Sequence, residues 1–248
     1  MGIRIRALTA LGASAALVST PAVVADAATP TVRSGMEISI DDTVVTSNSC
    51  TLGAVISAKK ALTAGHCGVV GRAVHDRTGK RIGTITANRV AQRLDIAVIG
   101  LVPRTAARID PVDWNAKFGR GQLVWKSGIT TGYGTGKVTD PAEVLRTSHG
   151  FSLAPPFLTR HDSYSIQTSL RSESGDSGAG VRDSRGRVVG ILSSATLEGT
   201  VVVPVSRLPR ALRRRRGCAA ADSTQTPETT KRPIWPEPDE ALREVRCA

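Results

Sequence analysis

Met36-Glu37-Ile38-Ser39-Ile40 alternates apolar with polar residues, so Met36, Ile38 and Ile40 share one face of an extended strand. The text around it repeats the theme at short spacing. Gly53–Ser57, Arg81–Ala87, Asp95–Leu101, Gln122–Trp125, Tyr164–Thr168, Arg187–Leu192 and Thr200–Val205 all read as strands. Turn signals separate them at Asp41-Asp42, Thr78-Gly79-Lys80 and Asp183-Ser184-Arg185-Gly186. Many short strands with such punctuation predict an all-β sandwich or barrel. Composition agrees: 40% of the 248 residues are apolar but only 3% aromatic, so Val, Ile, Leu and Ala have to build the core.

The pattern changes after Val205. Ser206-Arg207-Leu208-Pro209 offers a capping Ser and an early Pro, which predicts a basic helix over 206–215 ending at Gly217. Residues 216–248 are rich in Pro, Thr and Glu and read as an irregular tail. The run Arg213–Arg216 is either a solvated helix end or a docking patch for an anionic polymer.

At the other end, Arg4 and Arg6 precede an apolar run, Ala7–Val18, then Pro21 and Ala25-Asp26-Ala27. A basic start, a short apolar stretch and an A-x-A site describe a secretory signal peptide over 1–27, followed by a short segment, 28–33. The apolar run is too short for the roughly 20 residues of a membrane helix. Export puts Cys50, Cys67, Cys218 and Cys247 in an oxidising compartment, where an even count predicts two disulfides. Three connectivities are open; the sequential one, Cys50–Cys67 with Cys218–Cys247, closes two short loops. No C-x-x-C or H-x-x-x-H pair favours a metal, and no cofactor is expected. The formal charge of +12 attracts anionic polymers without choosing among them, and scarce aromatics argue against a single-strand nucleic-acid platform.

Three strings carry chemistry: Leu62-Thr63-Ala64-Gly65-His66-Cys67, Arg93-Leu94-Asp95-Ile96-Ala97-Val98-Ile99, and Ser174-Gly175-Asp176-Ser177-Gly178-Ala179-Gly180. A serine hydroxyl is a poor nucleophile until an imidazole takes its proton, and a buried carboxylate has to hold that imidazole in one tautomer. Glycines beside the serine let backbone N–H groups approach a developing oxyanion.

In the order His–Asp–Ser, these strings resemble the chymotrypsin/trypsin-like serine proteases, most closely the secreted bacterial streptogrisin and α-lytic-type branch. The likeness rests on Thr63-Ala64-Gly65-His66-Cys67, on Gly175-Asp176-Ser177-Gly178 and on Ser127-Gly128-Ile129-Thr130-Thr131-Gly132. Cys50 matches the cysteine that bridges to the one after the histidine. The resemblance runs over about 34–212 and implies two antiparallel six-stranded β-barrels, about 34–108 and 109–205, with a C-terminal helix. It implies His66 as general base, Asp95 as its orienting acid, Ser177 as nucleophile, and the N–H groups of Gly175 and Ser177 as the oxyanion hole. Ser193 matches a serine that supports the aspartate, and Ser193, Ser194 and Ala195 would hold a polypeptide substrate as an added strand. The implied protein is a secreted, monomeric serine endopeptidase. The alternative is a catalytically silent protein of the same fold, binding cell-wall or other anionic polymer through its basic surface.

Three departures from the family pattern stand out. Ala179 replaces a glycine. Arg171 replaces a cysteine near the primary specificity pocket, where it would either select acidic substrate residues or neutralise Glu173. Lys126 stands where the bacterial enzymes carry an arginine and is expected to pair with buried Asp176, so that no activating cut is needed. Residues 28–33 are too short for the folding pro-region of the α-lytic type. His75, His149 and His161 sit in polar text and are expected in loops or on the surface.

Overall fold

The computed structural model describes residues 29–42, 46–151 and 158–213. The expected signal peptide, the Cys218–Cys247 pair, Arg214–Arg216 and the tail lie outside them. Among the described residues the chain is almost entirely strand. β1 (Thr31–Val32) precedes a seven-stranded sheet made of β2 (Glu37–Asp41), β3 (Ser47–Thr51), β4 (Ala54–Ser57), β5 (Lys60–Thr63), β6 (Ala73–Asp76), β7 (Arg81–Asn88) and β8 (Ala97–Leu101). The spatial order is β3-β2-β6-β7-β8-β5-β4, with neighbours antiparallel. Only Leu52 and Gly53 separate β3 from β4, so one bent chain path serves both edges of this curled sheet. β9 (Ala106–Ala107) returns to pair in parallel with β1. Val32 is thereby buried in the first core, and the segment expected to precede the domain belongs to it.

The second half is a closed barrel in the order β10-β11-β12-β15-β14-β13. Its strands are β10 (Leu123–Gly128), β11 (Gly132–Phe151), β12 (Leu158–Thr168), β13 (Gly180–Arg182), β14 (Val188–Thr196) and β15 (Gly199–Pro204). Each sheet buries a core of aliphatic side chains. Ile38, Ile40, Leu62, Ile85 and Ile99 fill the first, and Val124, Ile166, Val181, Leu192 and Val202 the second. Alternation decides which face goes inward: in β2, Ile38 and Ile40 are buried while Glu37, Ser39 and Asp41 are partly exposed. Ala179 is also fully buried in the second core, which accommodates its methyl group.

The helix expected over 206–215 is broken. A 3-10 turn, Val205–Arg207, is followed by extended Leu208 (φ −65°, ψ 129°) and a single α-helical turn, α1 (Arg210–Arg213). Pro209 is the cause: it lacks an N–H and its ring disfavours helical backbone at the residue before it.

β11 and β12 extend beyond the barrel wall as a long hairpin. Its register jumps from Asp140↔Gln167 to Val144↔Ser165, leaving Pro141, Ala142 and Glu143 opposite one residue of β12. Pro141 has no N–H to give the ladder and is tolerated at such a bulge. Arg146 clamps the bulge, bonding Asp140 and the carbonyls of Ala142 and Ser165. The outer half of β12 then lies against the first sheet, where Tyr164 N–H donates to Arg93 carbonyl at 3.0 Å.

Candidate active site

The two halves pack closely beside Ser177. A Cβ added to Gly178 would lie 2.4 Å from Thr51 carbonyl oxygen, and one added to Gly180 would lie 2.1 Å from that of Gly53. No side chain larger than hydrogen fits there, and Gly178 also has φ +89°. This contact seats the loop around Ser177 on the β3–β4 bend, where Thr51 N–H donates to Ser177 carbonyl at 2.8 Å.

His66 sits on a 3-10 turn, Gly65–Cys67, just after β5. The Cys50–Cys67 disulfide ties this turn to β3, and Asn88 holds it from β7 by donating to the carbonyls of Gly65 and Gly68. Asp95 enters from the other side, on the stretch between the turn Val90–Gln92 and β8. It is fully buried and crowded with donors. Its Oδ1 accepts from His66 N–H at 2.7 Å; its Oδ2 accepts from Ser193 Oγ at 2.6 Å and lies 2.8 Å from His66 Nδ1.

Electrostatics follow from this geometry. Burial pushes Asp95 up, but the His66 charge and the hydrogen bonds of both nearby histidines outweigh it and hold the carboxyl well below its usual range. Burial pushes His66 down, yet the Asp95 charge and hydrogen bond leave the imidazole above its ordinary value.

Ser177 is partly exposed, and its hydroxyl donates to Ser193 carbonyl at 3.3 Å. Among the described residues it has no hydrogen bond to His66. Gly175, at φ +97°, would bring a Cβ within 2.5 Å of Thr130 Oγ1, so that position also requires glycine. Its carbonyl is held by Thr51 Oγ1 at 2.8 Å. Among the described residues no acceptor takes the amides of Gly175 or Ser177. Ser193 falls at a register shift of β14, between Leu192↔Val202 and Ser194↔Val201. β13 pairs with β14 only as far as Ile191, so Ser193, Ser194 and Ala195 have a strand on one edge alone among the described residues.

Under the loop, Lys126 and Asp176 are both completely buried, with Nζ 3.1 Å from Oδ2. Lys126 also bonds Thr131 Oγ1 and donates to Gly132 carbonyl at 3.1 Å. Asp176 accepts from the amides of Thr130 (2.9 Å), Thr131 (3.1 Å) and Glu173 (3.1 Å) and from Thr131 Oγ1 (2.6 Å). Burial pushes its carboxyl up, but the bonds from Thr131 and Thr130, with that of Lys126, bring it below the ordinary value. The Arg171 side chain is 83% exposed and donates to Glu173 Oε1 at 2.6 Å.

One histidine departs from expectation. His75 is partly exposed and His149 exposed, but His161 on β12 is buried. Its Nε2 lies 3.1 Å from Asp95 Oδ2 and 3.3 Å from Ser193 Oγ, and its ring stacks on His66 at 4.9 Å between centroids and 19° between planes. The polar string Arg160-His161-Asp162-Ser163 gave no sign of this. His66, Asp95 and His161 offer a donor set with metal-ligand spacing, but those atoms already bond one another, so a cation would have to displace imidazole protons.

Three solved structures share the fold. Chymotrypsin from Cellulomonas bogoriensis is 22% identical over 71% of this chain and 92% of its own, with a TM-score of 0.50. Protease A from Thermobifida fusca is 18% identical over 71% and 92%, with a TM-score of 0.51. Nocardiopsis protease is 21% identical over 70% and 92%, with a TM-score of 0.50. No curated protein matches. Residues 33–191, which include the strings around His66, Asp95 and Ser177 and most of both cores, match the trypsin-like peptidase domain, and the chain belongs to that family.

Proposed function

We propose that this protein is a secreted serine endopeptidase acting through His66, Asp95 and Ser177 and an acyl-enzyme intermediate. The observation that carries the reading is the Asp95 carboxylate held between His66 N–H and Nδ1. With Nδ1–H donating to Asp95, Nε2 is the lone-pair side of the neutral ring and the atom able to take a proton. Ser177 Oγ leaves Ser193 carbonyl by a side-chain rotation, passes its proton to Nε2 and attacks the peptide carbonyl carbon. The oxyanion accepts from the amides of Gly175 and Ser177. His66 then returns the proton to the departing amine as the C–N bond breaks, and water repeats the sequence on the ester. The unpaired edge at Ser193–Ala195 fits an extended polypeptide, and Lys126 neutralises Asp176 without a newly cut N-terminus. Secretion is supported by the N-terminal text and by the Cys50–Cys67 bridge.

The test is labelling of the purified chain with a fluorophosphonate probe beside Ser177→Ala and His66→Ala. Label on the wild type alone is expected. A folded, disulfide-bonded sample that takes no label overturns the reading. One observation favours the second reading, a silent anionic-polymer binder: the Ser177 hydroxyl rests on Ser193 rather than on His66. Binding of that kind would weaken steeply with salt.

A further inference from the structure

We infer that His161 is a positioning residue of this site, holding the His66 ring against Asp95 and sharing the carboxylate that steadies its cation. The inference rests on the proposed role of His66 as the base. Ser193 Oγ–H donates to Asp95 Oδ2 at 2.6 Å, which leaves the Ser193 oxygen free to accept. His161 Nε2 therefore faces two acceptors, Asp95 Oδ2 at 3.1 Å and Ser193 Oγ at 3.3 Å, and must carry the proton. Its other nitrogen, Nδ1, is buried and has no partner among the described residues, as suits a lone pair on a neutral ring.

Two consequences follow. First, Asp95 Oδ2 receives three donors rather than two, from His66, Ser193 and His161. Hydrogen bonds to a carboxylate spread its charge, so each remaining donor is held less strongly. Second, a nearly parallel ring covers one face of His66 and limits rotation or outward swing of that imidazole. The device depends on the bulge at Pro141, since only the outer half of the hairpin carries His161 to Asp95. Among the described residues the ionisable groups bearing on His66 are Asp95, from the stretch before β8, and His161, from β12. β14 brings the neutral hydroxyl of Ser193, and β3 brings the Cys50–Cys67 disulfide.

Two variants separate the roles. His161→Phe keeps a ring and removes the donor; His161→Gln keeps a donor near Nε2 and removes the ring. His66 titration is read by NMR of the histidine-labelled chain, which needs no activity, with the fluorophosphonate labelling rate measured in parallel. With its competitor for Asp95 gone, His66 should hold its proton to higher pH in His161→Phe, by roughly half to one unit, and move less than half as far in His161→Gln. Labelling at neutral pH should slow in both folded variants, in His161→Phe because more of His66 stays protonated and in His161→Gln because the covered face is freed. A His66 titration unchanged to within about 0.2 units in His161→Phe, with native near-ultraviolet circular dichroism, overturns the inference. A shifted titration in a chain that takes no label upholds it and removes only the peptidase reading.

Discussion

Lys126→Met keeps the length of the side chain and deletes its charge, leaving Asp176 alone at 0% exposure. Removing one partner of a buried ion pair costs about 3–5 kcal/mol, because the remaining charge is left uncompensated. Here Asp176 retains three amide donors and the Thr131 hydroxyl. Those bonds to the charged form place the expected loss near the lower end, about 3 kcal/mol. For a domain of this size that is a fall in Tm of roughly 6–12 °C. The pH dependence supplies the sharper signature. In the wild type the folded carboxyl of Asp176 lies below its ordinary 3.8, so it stabilises the fold above that pH and the contribution fades as pH drops through the folded value. Without Lys126 the folded carboxyl should rise from its wild-type position, because one donor and its charge are lost while burial is unchanged. The variant's deficit should then be small in acid and grow towards neutrality. Urea unfolding of both proteins between pH 3 and pH 7 measures this. Equal stability at pH 7, or a deficit that does not change with pH, would refute the electrostatic account. Asp176→Asn in the Lys126→Met background should recover part of the loss, since a neutral amide needs no counter-charge.

Four further outcomes are expected. The acid limb of kcat/KM should fall above pH 6.5, the ordinary imidazole value, because Asp95 holds the proton on His66 and only the neutral ring can act as base. The same raised value means that the His66–Asp95 pair stabilises the fold fully below pH 6.5 and loses that contribution as pH climbs through the folded value, which thermal melts of wild type and His66→Ala across that range would register. Replacing Cys50 and Cys67 by Ser opens a loop with a sequence separation of 17 and should cost about 3 kcal/mol in chemical denaturation, together with slower labelling as the His66 turn loosens. Arg171→Ala should change the preference between acidic and neutral P1 peptides by less than about twofold, since an exposed ion pair with Glu173 contributes little; a preference for acidic P1 lost in this variant would place the guanidinium in the pocket after all.

Much of the fold was legible because half-buried strands advertise themselves. Each of the eight runs picked out by apolar content coincides with part of a strand, from Met36–Ile40 on β2 to Thr200–Val205 on β15. Strands without that contrast were silent. β11 starts Gly-Tyr-Gly-Thr-Gly-Lys-Val-Thr-Asp-Pro, a stretch that pairs with β10 in the barrel yet buries only Val138, and its far end forms the hairpin beyond the core. β3, Ser-Asn-Ser-Cys-Thr, earns its place by pairing with β2 rather than by burying apolar side chains. The helix expected over 206–215 is cut short because Pro209 acts on the residue before it, its ring keeping Leu208 extended.

The site divides along the same line. His66, Asp95 and Ser177 could be picked out together, from strings whose residue types suit the chemistry: a small residue before a histidine, an acid at the mouth of an apolar strand, glycines beside a serine. The pairing expected of Lys126 with Asp176 came from the family resemblance. The roles of Thr51, Thr131 and His161 could not be picked out, since each becomes significant only through a residue far along the chain. His161 lies 66 positions from Asp95. Sequence by itself determined the strand-rich architecture and the residue types available for acyl-transfer chemistry, because alternation and residue type are local properties; spacing left three cysteine connectivities open, and only the family resemblance pointed to Cys50–Cys67. Tertiary structure alone decided what surrounds Asp95, because a bulge at Pro141 has to bend one hairpin over the other half of the molecule before the second imidazole can reach the carboxylate.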